Sequence, residues 1–306
     1  MSNTLILHHY DSSPYAEKIR LMFGLANLSW QSLLSPVWLP RPNVDPLAGG
    51  YRRIPVAQIG ADIFCDSDLI AKEIASLAKQ AELNPENASP EAKSIAQFAE
   101  GEAFFAAVSS VPPLRLLSTM LLKFGPIGAF RFIKDRGELL KGSDAKRPNL
   151  EQSQALIEDL ISRISKQLDQ HEWLDGNAPT AVDFSVYHPL WLHVNCSRRE
   201  LQCDAKVQDW FRRVAAIGHG QRVEISQADA FSTARNAQPR EIIDSAGHEL
   251  LNKDVAVSPS DYGFVPVQGK LVAVNQERII VARNTEDFGL IHVHFPRENY
   301  SINAQG

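Results

Sequence analysis

The sequence predicts a multidomain chain of α/β and all-α parts: a small α/β domain, then a helical domain, then a short β-rich tail. Three observations carry that reading. The order strand, helix, strand, strand, strand, helix fits into the first 80 residues. Between residue 91 and about residue 230 the apolar period becomes 3.6 residues. From Val265 onward, β-branched runs alternate with turn residues.

Each element has its own local reason. Thr4 to His8 contains Leu5-Ile6-Leu7, apolar throughout, and reads as a strand that is not an exposed edge. Ala16, Ile19, Phe23 and Ala26 recur at i, i+3, i+7 and i+10, with Glu17, Lys18 and Arg20 off that face, which predicts a helix. Pro14 suits its first position, where a missing N–H needs no partner, and Ser13 is the natural N-cap. Trp30 to Leu34 is a candidate second strand, and Pro36 to Gly50, with four prolines and two glycines, an irregular loop. Ile54 to Ile59 and Ile63 to Cys65 read as strands about a Gly60-Ala61-Asp62 turn. Asp66-Ser67 then precedes a helical run, Leu69 to Leu77.

Asn84 to Pro90 is polar, carries two prolines and reads as a linker. Ile157, Leu160, Ile161, Ile164 and Leu168 make one helical face, and Val207, Trp210, Phe211 and Val214 another. Thr180-Ala181-Val182-Asp183 has the form of a capping box with Asp in the last place. In the tail, Val265 to Val274, Arg278 to Asn284 and Leu290 to Phe295 are strands with turns at Asn275-Gln276 and Glu286-Asp287, behind a linker at Ala234 to Pro239. The domains are therefore placed at residues 1–80, 90–232 and 240–306.

Composition bounds the chemistry. The 31 Lys+Arg against 36 Asp+Glu leave a formal charge of −5, which argues against a general nucleic-acid binder, since that needs clustered cations. Cys65, Cys196 and Cys203, with no CxxC pair, make no disulfide framework, and the last two are expected as buried apolar thiols. Val108 to Ile133 is the most apolar stretch. Arg115, Lys123 and Arg131 interrupt it and three prolines break it, so helices around a cleft are expected rather than a membrane span. Met1 to Tyr10 lacks the basic start and apolar core of a signal peptide, and the expected compartment is the cytosol. His8 and His9 are adjacent on a strand and face opposite ways, and His292-x-His294 has no third ligand placed near it, so no metal is expected.

Three local patterns, in this order and spacing, resemble the glutathione transferase superfamily over roughly residues 4 to 225. Ser12-Ser13-Pro14-Tyr15-Ala16-Glu17-Lys18-Ile19-Arg20 is similar to the active-site turn of serine- and cysteine-type members. Arg53-Ile54-Pro55 is similar to the strand-opening cis-proline, and Cys65-Asp66-Ser67 to the acidic-Ser pair that opens the next helix. Thr180 to Asp183 matches the capping box of the family's helical domain. The resemblance implies a thioredoxin-like first domain, a helical substrate domain, glutathione as co-substrate and a homodimer. It gives no function to the tail from about residue 235. Serine at position 13, where other members carry cysteine, weighs against mixed-disulfide chemistry. His9 or Tyr10 lies where tyrosine-type members place their hydroxyl, and the Pro36 to Gly50 loop matches no single class.

By that resemblance Ser13 is the catalytic position, with Ser12 as runner-up and Tyr10 as a further hydroxyl. The physics is sufficient. A free thiol has a pKa near 8.5, and lowering it by two units needs about 2.7 kcal/mol. A hydrogen bond to a charged group supplies about 1.5–3 kcal/mol, and a helix N-terminus roughly 0.3–1 kcal/mol more. Ser13 would thus stabilise the thiolate of glutathione without itself being the nucleophile. Ile54, beside Pro55, would pair its N–H and C=O with the peptide ligand as an added strand does. Ser67 would hold the γ-glutamyl carboxylate and Asp66 the α-amino group, while Arg52 or Arg53 would meet the glycyl carboxylate. Phe104, Phe105, Val108, Leu114, Leu117 and Phe124 are either wall or core. The implied activity is conjugation of glutathione to a small hydrophobic electrophile in detoxification. The alternatives are a glutathione-dependent isomerase or dehalogenase and a non-catalytic binding or assembly protein.

Overall fold

A computed structural model describes residues 4–143, 148–245 and 247–305. Strand β1 (Ile6–His9) is buried along its whole length, which is why its sequence shows no polar alternation. It lies between β2 (Ser29–Leu34), to which it is parallel, and β3 (Val56–Ile59), to which it is antiparallel. β3 returns through Gly60 and Ala61 into β4 (Asp62–Cys65), and Gly60 has the positive φ, +61°, that the tight turn requires. Helix α1 (Pro14–Leu25) opens as the sequence predicts: Ser13 is the N-cap, its Oγ accepts from the Ala16 N–H at 3.2 Å, and Pro14 takes the first position. The Pro36 to Gly50 loop contains one short helix, α2 (Asp45–Ala48). α3 (Ser67–Ala78) follows β4 directly.

Two 3-10 turns lie between α3 and the helical domain. That domain contains α4 (Pro90–Glu100), α5 (Glu102–Ser109), α6 (Pro113–Leu139), α7 (Leu150–Gln167), α8 (Ala181–Ser197), α9 (Ala205–Ala216) and α10 (Gln227–Arg235). The capping box forms at α8, and Asp183 does more than cap. One of its carboxylate oxygens accepts from the Thr180 N–H at 2.9 Å, and the other from Leu174 N at 3.1 Å and Trp210 Nε1 at 2.8 Å. Ile157, Leu160 and Ile164 of α7 and Val207, Trp210 and Val214 of α9 share one core with Leu7, Ile19, Phe23, Trp30 and Phe64 of the first domain.

Three expectations need correction here. Residues 91 to 230 are not all helical: β5 (Gln221–Glu224) pairs in parallel with β2 at the sheet edge. Three of its four residues are exposed, and the strand lies on an edge with no apolar alternation, so no pattern marks it. Leu114 and Leu117 are neither wall nor core, being 83% and 44% exposed. α6 starts at Pro113 after Pro112, and Gly125, at φ 67° and ψ 175°, breaks its helical geometry before Pro126. Among the described residues α6 is the one helix long and apolar enough to cross a membrane. Cys196 and Cys203 are half-buried rather than buried, and all three cysteines are free.

The tail holds β6 (Asp254–Pro259), β7 (Val267–Val274), β8 (Arg278–Thr285), β9 (Gly289–Pro296) and β10 (Tyr300–Ala304). β6 to β9 form an antiparallel meander, and β10 returns to pair with β6. β9 then pairs in parallel with β4, Asp62 opposite His292, so the tail continues the first domain's sheet. The result is one ten-stranded sheet in the order β10-β6-β7-β8-β9-β4-β3-β1-β2-β5. A buried cluster of Val56, Ile63 and Cys65 with Val257, Leu271, Val281, Val293 and Phe295 seals the junction. Glu73 of α3 adds an ionic clasp, pairing with Arg240 at 3.0 Å and Arg278 at 2.8 Å.

Candidate functional site

Segments from all three parts of the chain meet at one cavity of about 970 Å³. The first domain contributes Tyr15, Arg53, Ile54, Pro55, Asp66 and Ser67, and the helical domain Glu100, Phe105, Val182 and Ser185. The tail contributes Asp261, Tyr262, Phe264 and Tyr300. Residues 53–55 and 66–67 are brought together because β3 and β4 are antiparallel, with Val56 opposite Cys65. The Ile54–Pro55 peptide bond is cis.

Asp66 is the N-cap of α3 and carries φ 82° and ψ 139°, a region that favours glycine. An L-residue held there costs on the order of 1–3 kcal/mol, which the surrounding contacts must supply. One carboxylate oxygen accepts from the Asp68 N–H at 3.1 Å. The other accepts from the Tyr300 hydroxyl at 3.1 Å and lies 3.6 Å from Arg53 Nη1. Burial, and then the charge of Asp68, raise the pKa of Asp66 against the pull of Arg53. Ser67 is the first residue of α3, where unpaired N–H groups and the helix dipole suit an anion.

Arg53 is held from the tail side. Its Nη2 donates to the Tyr262 carbonyl at 2.6 Å and pairs with Asp261, and its guanidinium lies 3.9 Å from the centre of the Tyr262 ring. Its buried Nε has no hydrogen-bond partner. The neighbouring Arg52 is committed elsewhere, to Asp135 at 2.7 Å.

Ser13, Ser12 and Tyr10 are not among the lining residues. Ser13 is buried beneath the turn, its N–H donating to the Tyr10 carbonyl at 3.0 Å. Arg20 braces the same turn, donating to the Asp11 carbonyl at 2.9 Å and pairing with Glu17 at 2.6 Å. Tyr15, two residues past Ser13, does line the cavity. Its ring packs 4.7 Å from Phe104 and 4.8 Å from His188. Burial holds its pKa well above the ordinary tyrosine value, so it stays a hydroxyl, and it is hydrogen-bonded to Tyr262. Of the six candidate wall residues, Phe105 reaches the cavity.

Below Tyr15, Lys18 is fully buried and bridges Asp68 and Glu100, both at 2.7 Å. The Glu100 carboxylate also accepts from His188 Nε2 at 3.3 Å. Burial alone would raise the Glu100 pKa, but the Lys18 ammonium and His188 hold it down at about 2. Lys18 sits off the apolar face of α1 in the sequence pattern; it is buried because the helical domain covers that side.

His8 and His9 are separated as their alternation predicts, His8 bonding to Gln58 at 3.0 Å and His9 to Ser32 at 2.9 Å. The His292-x-His294 pair does have a third candidate ligand beside it, Asp62, reached through the β4–β9 pairing, with donor atoms within 4.8 Å of one another. A pairing between residues 62 and 292 leaves no local mark, which is why the sequence placed none. Asp62 is already engaged, by His294 Nε2 at 2.7 Å and by the Arg240 N–H at 2.9 Å, and the group clasps the tail to β4.

Comparison with known proteins adds three findings. Residues 7–82 match the family model for the glutathione S-transferase N-terminal domain. A solved structure of a GST-like protein from Pseudomonas syringae is 29% identical, with a TM-score of 0.77 over 99% of this chain and 100% of that one, so the likeness includes the tail. A glutathione S-transferase from Rhodospirillum rubrum is 16% identical, with a TM-score of 0.50 over 70% of this chain and 88% of that one, and shows a common fold. No curated protein matches the chain.

Proposed function

We propose that this chain, whose residues 7–82 match the glutathione S-transferase N-terminal domain, is a transferase that binds glutathione in this cavity and presents its thiolate to a small hydrophobic electrophile. The observation that carries the reading is the convergence of Arg53, Ile54, Pro55, Asp66 and Ser67 on one cavity at the start of α3. Ser67 and the α3 N–H groups suit the γ-glutamyl carboxylate, Asp66 the ammonium beside it, and Ile54 the cysteinyl main chain. In the reaction the thiol loses its proton to solvent. The sulfur forms the C–S bond, and the displaced group leaves with the electron pair of the bond it gives up.

Ser13 keeps the thiolate-stabilising role in this reading. Its Oγ uses a lone pair on the Ala16 N–H, which leaves the hydroxyl hydrogen to donate to sulfur. A second reading is favoured by one observation: Tyr15, not Ser13, lines the cavity. A conjugation assay with glutathione and an aryl halide separates them. We expect Ser13→Ala to lower kcat/KM about 10- to 100-fold, the worth of a hydrogen bond to a charged sulfur, with Tyr15→Phe near wild type. The reverse pattern moves the role to Tyr15, and two unaffected variants remove it from both.

A further inference from the structure

We propose that the tail completes the ligand site, with Asp261 occupying Arg53 in the place a ligand carboxylate takes, so that the site selects ligands able to displace it. This rests on the glutathione reading above and deepens it. The β6–β7 loop lies over Arg53 and docks on the end of α6, where the Gly263 N–H donates to the Leu139 carbonyl at 3.0 Å. Gly263 has φ +65°, and a Cβ there would stand 3.0 Å from Leu139 Cδ1 and 3.7 Å from Arg53 Nε. The loop therefore fits closely over Arg53, with a positive φ and a tight approach to Leu139 that glycine accommodates.

Asp261 binds Arg53 end-on, through Nη2, and leaves the buried Nε–H without an acceptor. Once Asp261 is displaced, a ligand carboxylate can take Nε and an Nη together, the bidentate pairing in which guanidinium is strongest. Asp261 is 46% exposed, so water receives it readily when it is displaced, and an ion pair of that exposure holds weakly. Asp66, 3.6 Å from Arg53, stays beside a ligand that has displaced Asp261, and its negative charge favours an ammonium on the same ligand. The ligand class is a peptide or amino acid with a free ammonium and a free carboxylate.

Calorimetric titration of the full chain with glutathione tests this. Asp261→Asn should bind about three- to fivefold more tightly than wild type, and Asp261→Glu, which keeps the carboxylate, should bind as wild type does. With the glycyl ethyl ester of glutathione, which lacks that carboxylate, wild type and Asp261→Asn should bind equally. Equal or weaker glutathione binding by Asp261→Asn overturns the proposal. Hydrogen exchange of the amides of residues 261–264 without ligand supplies the separate check: Asp261→Asn should exchange faster, and unchanged exchange overturns the Asp261–Arg53 pair as a latch on this loop. If glutathione binds to none of the three proteins the glutathione reading fails, and the exchange comparison alone decides the latch.

Discussion

At the scale of single residues, the ionic chemistry beneath the cavity makes a prediction about pH. Glu100 titrates near 4.5 when unperturbed and at about 2 in the folded protein, against the burial that would raise it. A carboxylate depressed by folding stabilises the native state above its unfolded pKa, and that contribution fades as pH falls toward the folded one. Wild type should therefore exceed Glu100→Gln by about 2–3 kcal/mol near neutrality and lose that margin between about pH 4.5 and pH 2. Urea unfolding of both proteins across that range measures it, and a margin that does not change with pH contradicts the assignment. The sequence showed some residues of this kind and hid others. Ser13 and Asp183 were legible because capping chemistry acts over three residues. Lys18 was not, since its two carboxylates lie 50 and 82 residues away.

At the scale of elements, the central fact is the parallel pairing of β9 with β4. It turns the edge of the first domain's sheet into an interior position, and the tail's apolar strands cover Ile63 and Cys65. Ending the chain after residue 240 would leave β4 paired only with β3, an open edge strand with an apolar flank, the arrangement that templates aggregation. We expect such a truncation to accumulate as insoluble protein, or to melt more than about 10 °C below the full chain if it is recovered soluble. A soluble truncation with an unchanged Tm would show that the first two domains stand without the tail. Long β-branched strands such as β7, β8 and β9 were legible from composition. The four-residue β5 was hidden because an exposed edge strand needs no apolar alternation, and the partner of β9 because register between distant strands has no local signature.

At the scale of the whole molecule, one cavity is built by three stretches of chain. Residues 53–55 and 66–67 could be picked out beforehand, since the motifs that place them are short. Tyr262, Asp261 and Tyr300 could not, because what makes them site residues is the folding of the tail over the first domain. The most direct measurement is a crystal structure of the full chain with glutathione. The γ-glutamyl carboxylate is expected at Ser67 and the opening N–H groups of α3, the ammonium at Asp66, and the sulfur within hydrogen-bond reach of Ser13 or Tyr15. A cavity without ligand at saturating glutathione, or a tripeptide seated away from Asp66 and Ser67, would contradict this placement.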